Sequence, residues 1–249
     1  MRAFWPLFKR ELFAFFVTPL AWVLICVFLV VQGMHFFLLI DNFSRQPEIA
    51  SDQTVVQAFF GNTILLYVII LLFLPPMTMR LFAEERRSGT IESLLTAPVS
   101  TPAVVLSKYA AVVATYLAMW APTLLYLVIL RRTGEIDWHV AAASYLGVVL
   151  VGGGYLAIGL MMSAITKSQL LAFTLTALVL LAFFILGIGE FVTPEGSTIH
   201  DVCVHVSVWA QMNDFASGIV DLRHVTFNAT LIVLPLFVTT RAVDAWRWS

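Results

Sequence analysis

Charge is scarce in this chain. Of 249 residues only 12% are Asp, Glu, Lys or Arg and 60% are hydrophobic, whereas soluble domains carry about 25% charged residues. That scarcity excludes an ordinary soluble enzyme, and it excludes a disordered segment, which is charge-rich and apolar-poor. The 14 basic and 15 acidic residues nearly cancel, so no basic surface exists for nucleic acid. Cysteine is down to Cys26 and Cys203, too few for a disulfide framework. A G-x-x-x-x-G-K-[ST] phosphate loop is missing, because Lys9, Lys108 and Lys167 follow Phe, Ser and Thr. The chain therefore does not hydrolyse ATP by that chemistry. No H-E-x-x-H zinc pattern occurs either, and His200 and His205 stand five apart, poorly placed on one helix face. No catalytic residue and no metal ligand is assigned.

What the chain has is long stretches without charge, over 12–40, 53–79, 109–130, 138–166, 168–189 and 224–240. A helix needs about 20 apolar residues to cross a hydrocarbon core, and none of these stretches alternates as a barrel strand does. The reading is an all-α membrane protein of one domain, 1–249, with six transmembrane helices over 17–40, 57–79, 102–130, 140–166, 169–189 and 225–243. The first stretch is twice the length of a signal-peptide core and lacks a small-residue cleavage site, so it is expected to be retained. With the N-terminus inside, ten of the 14 basic residues fall on the inner side and ten of the 15 acids on the outer. The positive-inside rule then puts both termini in the cytoplasm. Arg131 and Arg132, in an outer loop, run against the trend.

Two segments outside the spans stand out. The opening Phe4-Trp5-Pro6-Leu7-Phe8-Lys9-Arg10-Glu11 mixes rings with charge, which suits a helix in the headgroup region or a simple basic anchor. Between the second and third spans, 80–98 is far more charged than its surroundings and has helical spacing. Leu81, Phe82, Ile91, Leu94 and Leu95 form an inner stripe, leaving Glu84, Glu85, Arg87, Ser88 and Glu92 outward. Glu84 and Arg87, three apart, are placed to pair. Gly89 within that pattern marks a break or a close approach. The next helix is expected to open with Ser100 or Thr101 as its cap and Pro102 in its first position. Gly152-Gly153-Gly154 has no lysine or acid after it, so it reads as close helix packing. His35 reads as a buried or interfacial residue, and Cys26 as a small apolar filler.

The string Glu84-Glu85-Arg86-Arg87-Ser88-Gly89-Thr90-Ile91-Glu92-Ser93-Leu94-Leu95-Thr96-Ala97-Pro98 resembles the cytoplasmic loop of ABC-2-type transporter permeases, and most of all that of the bacterial gliding-motility permease group. The segments Phe8–Ala21 and Asn213–Arg223 are similar to that family's N-terminal signature and last outer loop. The resemblance implies a coupling helix over 81–97 that docks on a cytoplasmic ABC ATPase dimer, with Glu84, Glu85, Arg87, Gly89, Thr90 and Glu92 at the contact. It further implies an N-terminal interfacial helix carrying Lys9, Arg10 and Glu11, and short re-entrant helices between spans five and six. ATP and Mg would be bound by the partner, leaving no cofactor in this chain. Other expected partners are the lipid bilayer, a second permease copy or a homologous permease, and a periplasmic or accessory membrane protein. The expected function is export or extrusion across the bacterial cytoplasmic membrane. The alternative is a mechanotransmission complex that passes ATPase work to envelope or motility proteins without moving cargo.

Overall fold

The structure, a computed structural model, describes residues 4–45, 54–61, 64–90, 99–133, 136–194 and 196–246. Its regular elements are all helical among the described residues. Helix α1 runs Phe4–Val17 and α2 Pro19–Arg45. The corner between them is fixed by Thr18, whose hydroxyl donates to the carbonyls of Ala14 and Phe15, and by the Trp22 indole donating to Phe16 O at 2.7 Å. The long apolar run after α2 divides into a short helix α3, Val55–Phe60, and α4, Ile64–Thr78. Thr54 and Gln57 close α3 with a reciprocal capping box, which satisfies two first-turn amides.

Helix α4 carries Pro75 and Pro76 and ends at Thr78. After a turn the chain resumes as α5, Ala83–Ser88. Helix α6 spans Thr101–Trp120, with Ser100 as its N-cap and Pro102 in the first turn, as expected. A single 3-10 turn, Ala121–Thr123, separates α6 from α7, Leu124–Thr133. Then follow α8, Trp138–Ile165, α9, Gln169–Val192, the short pair α10, Thr198–Val206, and α11, Val208–Ala216, and finally α12, Leu222–Ala245.

Among the described residues six helices are long and apolar enough to cross a membrane: Pro19–Arg45, Tyr67–Ser88, Thr101–Arg132, Trp138–Ile165, Gln169–Val192 and Leu222–Ala245. The second, in which α4 begins at Ile64, runs on past Thr78 through charged residues. Its double proline and its turn bend the chain without ending the segment.

Helix α8 is the most enclosed and packs on α12, α11, α9, α4 and α6. Its glycines make that possible. A side chain at Gly152 would run into Tyr116, whose hydroxyl donates to Val148 O, while the Tyr109 hydroxyl donates to Gly153 O at 3.0 Å. The glycine triplet is thus a packing face, as expected. Cys26, by contrast, lies exposed on α2 rather than filling the core. His35 stacks on Phe59 at 4.9 Å.

Candidate functional site

At one end of the bundle α1, α5 and α6 meet around Lys108. This lysine sits on α6, with its side chain 2% exposed, and its ammonium donates to Glu11 Oε2 at 3.0 Å and to Glu85 Oε1 at 2.8 Å. Arg10 donates to Glu11 Oε1 at 2.7 Å, and its guanidinium lies 3.7 Å from Glu85 Oε1. Two cations and two carboxylates therefore balance, and the Phe82 ring lies 5.3 Å from the Lys108 nitrogen. Isolated, a buried lysine is costly; paired with two acids it is held in place.

The charges answer to one another. Burial works against the Glu11 carboxylate, but the Lys108 charge and the hydrogen bonds from Arg10 and Lys108 outweigh it, and Glu11 titrates below the usual carboxylate range. Arg10 is held above its ordinary value, first by its hydrogen bond to Glu11 and against a smaller cost of burial.

Helix α5 is fastened to α8 by two further contacts. Its leading amides, of Phe82 and Ala83, both donate to Ser163 Oγ at 3.1 Å, and the Ser163 hydroxyl donates to Met79 O at 3.0 Å. Ser163 thus acts as a cap supplied by another helix, since α5 has no side-chain cap of its own. The Arg86 guanidinium donates to the carbonyls of Ala164, Ile165 and Thr166 at 3.1–3.3 Å. It thereby satisfies the orphan acceptors at the end of α8 and opposes its dipole. Arg86 also lies 4.4 Å over the Trp246 ring, just beyond α12.

The sequence-expected residues divide into two groups. Arg10, Glu11 and Glu85 form the node; Glu85 faces inward, a correction to its expected outward position, because Lys108 recruits it. Glu84, Arg87, Gly89 and Thr90 are exposed. Glu84 and Arg87 are not ion-paired with each other among the described residues. Lys9 is exposed beside the Trp5 ring.

A continuous helix over 81–97 is not what forms. Helix α5 stops at Ser88, where Gly89 adopts φ 72°, the left-handed geometry that ends helices. Among the described residues nothing lies within 4 Å of a side chain built at Gly89, and its positive φ serves the turn. Ser88 and Thr90 share a 2.9 Å hydroxyl contact over that turn. Glu92 and the rest of the expected helix lie outside the described residues.

Three residues were missed: Lys108, Arg86 and Ser163. Lys108 had a signal. The Ser100 cap and Pro102 put it in the third turn of a helix and not in a loop, and a lysine so placed requires acids nearby. At the opposite end, His200 contacts Thr193 and His205 packs on Phe227. No group of three metal-ligating side chains occurs among the described residues.

A family model described as ABC-2 family transporter protein matches residues 39–234, which include Glu85, Arg86, Lys108 and Ser163. No curated protein matches the chain. The family match covers most of the sequence, and the chain belongs to the ABC-2 transporter family: it is a multi-pass membrane component of a class that generally works with separate ABC ATPase subunits.

Proposed function

From that membership we propose that the chain is the permease subunit of an ATP-driven exporter, coupling hydrolysis by a partner ATPase dimer, which binds the ATP and Mg, to extrusion of a substrate across a bacterial cytoplasmic membrane. The observation that carries this reading is the division of α5 into two faces. One presents Glu84, Arg87 and Ser88 to solvent, with Thr90 exposed just past its end; the other is bound to α1, α6 and α8 through Glu85, Arg86 and the amides that Ser163 of α8 caps. A push on the exposed face has a fixed route into the spans. The exposed face is the docking element, Gly89 and Thr90 shape its end, and Glu92 is a further contact residue implied by the resemblance. In this reading the α5 end and both termini are cytoplasmic, α1 lies in the headgroup region, and α10 and α11 are the short re-entrant helices. Six spans supply half of a two-fold path, so a second permease, identical or homologous, completes it. The resemblance of 84–98 to the gliding-motility group supports a relation to those permeases.

The test is co-purification of the ATPase in mild detergent from the native host, with Glu84→Lys and Arg87→Glu as variants. Both change exposed groups outside the node, so the permease stays folded while the ATPase is lost. Glu85 reversal is a poor probe, since it strikes Lys108. Undiminished capture of the ATPase by both variants overturns the docking assignment. Hydrolysis without any cargo flux in vesicles favours mechanotransmission over export.

A further inference from the structure

At the end of the bundle away from Lys108, a cavity of about 370 Å³ lies between α4, α8 and α9, bounded on one side by the start of α11. Its wall is aromatic. Tyr67 and Trp209 stack at 5.4 Å, Phe184 lies 6.0 Å from Tyr67, Phe191 meets the Trp209 ring edge-on at 5.9 Å, and Tyr155 pairs with Phe183 at 5.9 Å. Among the described residues no Asp, Glu, Lys or Arg lines it.

The lining decides what belongs inside. Buried water needs two to four polar partners, and an engineered apolar hole of about 150 Å³ stays dry and takes up benzene. This cavity is more than twice that size and offers few polar groups, so water does not fill it stably. A hydrated ion finds no charged side chain in the lining, and the Glu190 carboxylate acts on Tyr67 only from outside it. The volume falls in the range of pockets for small organic groups. The mouth decides the source. Ile188 and Phe191, both lining residues, are 41% and 65% exposed on α9. Because α9 is a candidate span, these side chains stand against hydrocarbon. The buried Tyr67 hydroxyl has no partner among the described residues, leaving one hydrogen bond at the wall unspent.

We propose that this cavity holds one acyl chain of a bilayer phospholipid, entering sideways between Ile188 and Phe191. The site is built within a single protomer and stands whether or not the protein moves cargo.

The full-length chain is placed in vesicles of dioleoylphosphatidylcholine doped with a phosphatidylcholine carrying a diazirine in mid-chain, irradiated, and mapped by peptide mass spectrometry. Label is expected to concentrate on Phe183, Phe184 and Trp209 over Leu170 and Leu178, which lie exposed on the same α9. Leu71→Trp fills the cavity from within; Ile188→Trp blocks its mouth from an exposed position that folding tolerates. Both are expected to abolish the cavity label while leaving that on Leu170 and Leu178 unchanged. Uniform label along α9, or cavity label that survives in both variants, overturns the proposal. It also falls if Ile188→Trp separates a dimer and the cavity label then rises, because a second copy is then the occupant.

Discussion

Lys108 concentrates in one side chain what the chain otherwise avoids, a charge with 1% exposure inside a helical bundle. Taking away one member of a buried ion cluster costs about 3–5 kcal/mol, because the partners stay buried and uncompensated. Lys108→Met is therefore expected to lose stability of that order in detergent unfolding. Adding Glu85→Gln to it should recover part of the loss by removing a stranded carboxylate. Full additivity of the two changes would mean that the groups do not interact. Glu11 gives the node a pH dependence. Its carboxyl is depressed in the folded protein, so its stabilising contribution is complete above the unfolded value of about 4.3 and is lost as pH falls through the lower folded value. The stability gap between the wild type and Glu11→Gln should stay flat from neutral pH to about 5 and close only in stronger acid. A gap that closes near neutrality would contradict the pairing.

Among the elements, α8 shows how small side chains translate into architecture. Gly152 admits Tyr116 so closely that even a methyl group there collides with the ring. Gly152→Ala is expected to lower the melting temperature, and Tyr116→Ala in the same chain should restore part of it, a non-additivity that marks direct contact. Two independent losses would place the strain elsewhere. The sequence displays this packing as a glycine triplet with no phosphate-binding partner, and the structure agrees. Other elements were less legible. Charge-free intervals point to six spans, and six candidate spans are present among the described residues, because lipid-facing helices must exclude unpaired charge. Within the second, α5 brings charge into the segment, and Glu85 there is held by Lys108 while Glu84 and Arg87 face outward. The break at Ala121–Thr123 has a proline at its centre, but one proline in an apolar run marks either a kink or a continuous helix. Glu85 was legible only as an acid near other acids. Its inward turn depends on a lysine 23 residues away, a distance no local period encodes.

For the whole molecule, the helices sort into a core and a periphery. Helix α8 is enclosed, while α2, α9 and α12 keep broad apolar faces exposed. Arg45, at the end of α2, and Arg87, on α5, are both exposed and fall on opposite sides of the proposed membrane. With Cys26 and Cys203 replaced by alanine, a membrane-impermeant thiol reagent on intact cells should label Arg45→Cys, and label Arg87→Cys only after permeabilisation. The reverse pattern would invert the orientation.

The same node bears on how the chain is assembled at the translocon. Glu11 precedes Lys108 by 97 residues and Glu85 precedes it by 23, so during synthesis both acids emerge long before the cation that neutralises them. The first two membrane segments are made while α1 still lacks its anchor, and α1 docks only once the third has arrived. An unaccompanied lysine costs about 2.5–3.5 kcal/mol at the centre of an inserting span and less near its end, where Lys108 lies, and the waiting carboxylates relieve that penalty. Truncations that stop short of Lys108 are therefore expected to leave α1 accessible to protease.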